Sequence, residues 1–130
     1  VADSERKLIF VIDRDGKTVE KREGTDRAPL VMPVGVATDA QDRLFVSDAT
    51  GHQITCFEAA GEIAAQFGSA QLGRPGGIAI DRTRARLYVA DAKESRIAFA
   101  PCSRSKSGPG VAATPASSSM RLQKSMLSLV

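Results

Sequence analysis

The feature that most constrains this chain is internal repetition. Val1-Ala2-Asp3, Val46-Ser47-Asp48 and Val89-Ala90-Asp91 recur at spacings of 45 and 43 residues. Pro33-Val34-Gly35-Val36-Ala37-Thr38-Asp39 returns 42 residues later as Pro75-Gly76-Gly77-Ile78-Ala79-Ile80-Asp81. A period of about 40–45 residues built from short strands marks the blades of a β-propeller. Such a unit cannot bury both of its faces alone and must stack on neighbours.

The complete unit is 33–73. It predicts strands near 35–39, 43–48, 53–58 and 62–67, separated by polar or glycine-bearing turns (Ala40-Gln41-Asp42, Ala49-Thr50-Gly51-His52 and Ala59-Ala60-Gly61). The flanking units, 1–32 and 74–100, are partial. The first supplies the end of a second strand, then a third and a fourth. The last supplies three strands, after which the turn glycine of the other units (Gly16, Gly61) gives way to Arg104 and no fourth strand is predicted. The expected fold class is therefore all-β, a partial propeller of a little over two four-stranded antiparallel blades over 1–100. Val36, Leu44, Val46, Ile54, Cys56, Ile78, Ile80, Leu87, Val89 and Ile97 are expected to form most of the core between blades.

Residues 101–130 are a different material. Pro101 to Ser119 is rich in Ser, Pro, Gly and Ala, a composition that buries too little to offset its ordering entropy, and it reads as a flexible tail. A short helix is expected at 120–129, capped by Ser119 with Leu122 and Met126 on one face. The tail also explains the basic balance. Residues 1–100 hold 14 of the 18 Lys/Arg and all 15 Asp/Glu, a net of −1, and the remaining basic residues fall in 101–130. The repeats carry no basic cluster, which argues against a nucleic-acid partner.

No run approaches the ~20 apolar residues of a membrane helix, so no membrane span is expected. The chain opens at Val1 without a basic-then-apolar leader and reads as processed or as a piece of something longer. Cys56 and Cys102 lack zinc spacing; Cys56 reads as a small buried hydrophobe, with a disulfide to Cys102 as the minor alternative. His52 is the single histidine and lies in a turn. It cannot form a histidine-rich metal site, and no Ser/His/Asp or Cys/His arrangement accompanies it. No cofactor, metal or catalytic group is expected. Asp39, Asp48, Asp81 and Asp91 end strands at repeated positions and read as turn formers that accept backbone N–H bonds. Gly35, Gly76 and Gly77 lack the phosphate-loop pattern and read as sites of close packing.

These motifs resemble the NHL repeat, Pro-x-Gly-[Val/Ile]-Ala-x-Asp followed by [Tyr/Phe]-Val-[Ala/Ser]-Asp and then Arg-[Ile/Val]. The matching residues are Pro33, Gly35, Asp39 and Asp48 in one unit and Pro75, Gly77, Asp81, Asp91 and Arg96 in the next. The resemblance covers roughly 1–99. It departs at Gln53, which stands where the next unit has Arg96, and at His52 and Ser95, where the pattern has Asn. It implies a six-bladed ring of which this chain holds a part, and a structural role for Arg96 beside a strand-end carboxylate. It further implies a binding or scaffolding module for a protein or peptide. Bacterial extracytoplasmic relatives are among those the resemblance brings in. The alternative it implies is part of a propeller enzyme, such as a metal-dependent lyase of peptidyl-hydroxyglycine, whose site needs histidines beyond His52. Self-association through uncovered blade faces is expected of the chain on its own.

Overall fold

A computed structural model describes residues 1–102 and, by backbone, 123–128. Among the described residues all eleven elements are strands: β1 Ala2–Asp3, β2 Leu8–Ile12, β3 Thr18–Glu23, β4 Pro33–Thr38, β5 Leu44–Asp48, β6 Gln53–Phe57, β7 Ile63–Phe67, β8 Pro75–Asp81, β9 Arg86–Asp91, β10 Arg96–Pro101 and β11 Gln123–Ser128. They form three antiparallel sheets, ordered β1-β2-β3, β4-β5-β6-β7 and β8-β9-β10-β11. Each of the four strands expected in 33–68 is present within two residues of its predicted limits.

The repeat extends to the backbone torsions. Left-handed residues recur at Lys7, His52 and Ser95 in one turn of each sheet, at Asp42 and Ala85 in a second, and at Gly16 and Gly61 in a third. The missing Asn of the NHL pattern falls on the first of these positions, where a short polar side chain tolerates positive φ best. Inner strands β4 and β8 bulge at equivalent places, between Pro33 and Val36 and between Pro75 and Ile78.

Two apolar clusters glue the sheets. Ile9, Leu30, Leu44, Val46 and Phe57 join the first sheet to the second. Phe45, Ile54, Cys56, Phe67, Leu72, Leu87, Val89, Ala98, Ala100 and Cys102 join the second to the third. Alternation along β5 sorts these sets, with Leu44 and Val46 on one face and Phe45 on the other. Both cysteines are free thiols in the interior. Burial pushes Cys56 up to about 12 and Cys102 up to about 11. Polar contacts cross the same junctions: Arg22 donates to the carbonyls of Glu58 (2.7 Å) and Ala59 (2.9 Å), and Arg82 donates to Thr38.

Three expectations need correction. The helix at 120–129 is not formed over Gln123–Ser128, which is β11; the rest of that range and residues 103–119 lie outside the described residues. A helix this short is marginal in water, whereas the edge of β10 offers it a ladder of unpaired backbone groups. The third sheet accordingly has a fourth strand, paired from Arg96↔Ser128 to Phe99↔Gln123 with one irregularity, and β10 is not an open edge. In the core list, Val36 is 38% exposed and Ile97 is half-buried: Val36 shares with Val46 the face toward the first sheet, where only the two-residue β1 lies opposite β4, and Ile97 lies on the face of the third sheet turned away from the second. Phe45 and Phe57, at 0% and 1%, carry more of the core than the list allowed.

Candidate functional site

The strand-end carboxylates build one end of the blades. Asp48 closes β5 opposite Pro33. Its Oδ2 accepts the Val31 N–H at 2.6 Å, and its Oδ1 accepts those of Met32 (2.8 Å) and Gly51 (2.7 Å). Asp91 repeats this opposite Pro75, with Oδ2 accepting from Gly73 (2.9 Å) and Oδ1 from Arg74 (2.9 Å) and Glu94 (3.4 Å). Proline has no N–H of its own to satisfy, so the two N–H groups just before it turn to the carboxylate. Ala49 and Ala92 then donate back to the carbonyls of Met32 and Arg74 at 2.9 and 3.0 Å. Each aspartate therefore ties the loop entering its blade to the turn leaving its second strand.

Asp91 is fully buried. Burial pushes its carboxyl up, but the N–H groups of Arg74, Gly73 and Glu94, with the Arg96 guanidinium, outweigh that and hold it below its ordinary value. Arg96 lies 3.6 Å from Asp91 and also donates to the Gln71 carbonyl. Its equivalent Gln53 pairs with Asp48 across the ladder.

Above the two clamps, turns 49–52 and 92–93 and the loop at Gly73 and Arg74 enclose an open cleft of about 550 Å³. Thr50, His52, Arg74, Ala92 and Lys93 are its exposed side chains. The Lys93 stem crosses Gly73 so closely that a Cβ there would stand 2.8 Å from the Lys93 Cβ. His52 contacts the Gly73 carbonyl through Nδ1. A carbonyl only accepts, so Nδ1 carries the proton and, in the neutral ring, the Nε2 lone pair is left for a ligand. Arg74 and Lys93 place two positive charges on the rim, and no acid lines it.

The remaining motif residues lie elsewhere. Asp39 directly follows β4 and Asp81 ends β8, at the opposite end of the blades. Asp39 is buried with Arg43, accepting from Arg43 Nε at 2.7 Å and from the N–H groups of Gln41 and Arg43. Asp81 accepts from the N–H groups of Thr83 and Arg84 and pairs with the Arg84 guanidinium at 3.0 Å; these bonds, the Arg84 N–H foremost, hold its carboxyl low. Gly35 packs against the next blade, whereas Gly77 faces open space. Among the described residues no cluster of three or more His, Cys, Asp or Glu is disposed to hold a metal. Sequence reasoning missed Arg74 and Lys93. The signal was their placement, Arg74 just before Pro75 and Lys93 two residues past Asp91, where the repeat puts loop tips.

The NHL repeat family model matches residues 30–57. Residues 30–57 are thus similar to an NHL repeat, and the fold is that of part of a β-propeller. A catalytically inactive virginiamycin B lyase from Staphylococcus aureus, solved with quinupristin, superposes with a TM-score of 0.63 at 16% identity, covering 93% of this chain and 34% of that one. The selenomethionine-substituted virginiamycin B lyase from the same organism gives 0.55 at 22% identity over 72% and 30%. The chain thus spans about a third of the length of these structures. No curated protein matches it in sequence.

Proposed function

We propose that this chain is a noncatalytic binding module, part of a six-bladed ring, that engages a protein or peptide at the cleft between its second and third sheets. The observation that carries this reading is the architecture of the cleft. Loop tips of two adjacent blades meet there, and two buried aspartates fix their backbone from below. Loops held on a rigid scaffold are where binding concentrates. The near-neutral repeats favour a protein or peptide over nucleic acid. The test is selection from a random-peptide display library against the wild-type chain, followed by titration of the winners. The reading expects binders that lose at least about tenfold in affinity to the Arg74→Glu/Lys93→Glu double variant, with unchanged melting. Binders indifferent to both substitutions would overturn it.

A second reading, part of a propeller lyase, is favoured by two observations: two similar solved structures are of a lyase, and the cleft holds His52 with Nε2 open to act as a base. Quinupristin incubated with the chain decides. A new product formed by wild type but not by His52→Ala supports the lyase; unchanged quinupristin counts against it.

A further inference from the structure

The cleft between the second and third sheets carries one sign of charge. Arg74 and Lys93 are exposed on its rim, and among the described residues neither side chain has a hydrogen-bond or ion-pair partner. Asp48 and Asp91 lie beneath it at 0% exposure, with their oxygens taken by backbone N–H groups, so a ligand meets the cations and not these carboxylates. Glu94, next along the chain from Lys93, does not line the cleft. The repeat itself does not impose this charge. The hollow between the turn at Arg6 and Lys7 and the loop entering β4, at the junction of the first two sheets, holds about 330 Å³ and mixes the signs, since Glu23 and Asp26 line it too.

Both cations are placed in advance. The Arg74 N–H donates to Asp91 at 2.9 Å and its carbonyl accepts the Ala92 N–H at 3.0 Å, which fixes the backbone and leaves the guanidinium free. The Lys93 stem rests on Gly73, which leaves the ammonium at the rim. A guanidinium fork grips a carboxylate through two parallel hydrogen bonds, and an ammonium adds a point charge. Groups held beforehand lose less freedom on binding. His52 adds a demand that a bare anion does not meet. Its Nδ1 donates to the Gly73 carbonyl, which leaves Nε2 of the neutral ring as an acceptor. A carboxylate or a phosphodiester brings no proton to that nitrogen, whereas a peptide brings backbone N–H groups beside its carboxylate. We propose that the cleft binds an acidic peptide, with a carboxylate against Arg74 and Lys93 and a peptide N–H donating to His52. This class of ligand rests on the binding role proposed for the cleft. The carboxylate belongs to an Asp or Glu side chain or to the peptide's C-terminus, which present the same two oxygens.

A random-peptide library, presented once with a free C-terminus and once amidated, is selected on the full chain, and the binders are titrated by fluorescence anisotropy. Each binder is compared with its analogue carrying Asn and Gln for Asp and Glu. Each is also titrated against Arg74→Gln/Lys93→Gln, two exposed positions at which unchanged melting confirms the fold. Binders are expected to be rich in carboxylates and to weaken as salt is raised. Neutralising either side is expected to cost about tenfold or more in affinity. Neutralising both is expected to cost little more than neutralising one, the mark of a direct pair. Loss on amidation places the carboxylate at the C-terminus, and loss on the Asn and Gln exchange places it in a side chain. Inorganic phosphate at the peptide's own concentration is expected not to displace it; displacement would make the cleft a general anion site and overturn the proposal. Binders that need Arg74 and Lys93 but keep their affinity without carboxylates overturn the acidic ligand and leave the binding role standing. A library with no binder that depends on the cleft overturns both.

Discussion

The carbonyl oxygen of Gly76 lies 2.6 Å from where a Cβ on Gly35 would stand. The inner strands of the second and third sheets meet there, and Ser47 fastens them. Its Oγ accepts the Gly35 N–H at 2.8 Å and donates to the Gly76 carbonyl at 2.5 Å. Backbone cannot give way as a flexible side chain can, so glycine at 35 is a requirement of the junction between blades.

Gly35→Ala is therefore expected to destabilise the chain by about 1–3 kcal/mol, the cost of forcing a methylene into a packed site. Gly77 holds the same repeat position in the third sheet and has nothing within 4 Å of its Cβ site. Gly77→Ala is expected to be neutral or slightly stabilising. Urea unfolding of the two variants side by side checks the contrast, and equal losses would count against it.

Much of this was legible in the sequence. The Pro-x-Gly and Val-[Ala/Ser]-Asp spacings locate the strands of the second sheet, because period-2 burial and tight turns leave little freedom in so short a unit. The cleft was not legible. Thr50, Arg74 and Lys93 lie in turns of low pattern content, and only the stacking of two sheets brings them together. β11 was missed for a related reason. Gln123 to Ser128 mixes polar and apolar residues without a strong period, and what makes it a strand is the free edge of β10, which the segment itself does not encode. The exposure of Val36 was equally hidden: its apolar identity marks a face, but not whether a neighbour covers that face.

The clamp at Asp91 gives the chain an acid-sensitive element. The folded-state carboxyl titrates below its ordinary value of 3.8. A group depressed in this way contributes stability that is present above its unfolded value and is lost as pH falls through the folded one. Denaturant midpoints measured downward from pH 5 are expected to fall as pH drops below about 4. Asp91→Asn is expected to be less stable than wild type at neutral pH and to show a shallower acid fall. An unchanged acid slope in that variant would remove Asp91 from this role.

The thiols report on packing. Cys56 is fully buried, and with its thiol pushed up to about 12 it holds almost no thiolate near neutrality. Cys102 is nearly as enclosed. Iodoacetamide at pH 7.5 is expected to leave both unmodified in the native chain and to label both in denaturant, read as mass increments on the intact protein. Rapid native labelling of Cys56 would mean that the junction between the second and third sheets opens.

Ala85 occupies the turn between β8 and β9 at φ +50°, where a Cβ is disfavoured by about 1–2 kcal/mol. Its equivalent Asp42 lies at +59°, so the repeat imposes the conformation and the side chain does not choose it. The Ala85 carbonyl accepts the Cys102 N–H at 2.7 Å, which pins the turn to the end of β10. Ala85→Gly relieves the Cβ strain and leaves that hydrogen bond in place. Against the gain stands the greater freedom of glycine in the unfolded chain, about 0.4–1 kcal/mol. The balance favours the variant by roughly 0.5–1 kcal/mol, read as a higher urea midpoint with an unchanged slope. Ala85→Val is expected to move the midpoint the other way, because a β-branched side chain fits a left-handed backbone least well. If Ala85→Gly lowers the midpoint, the turn does not hold the left-handed conformation in solution.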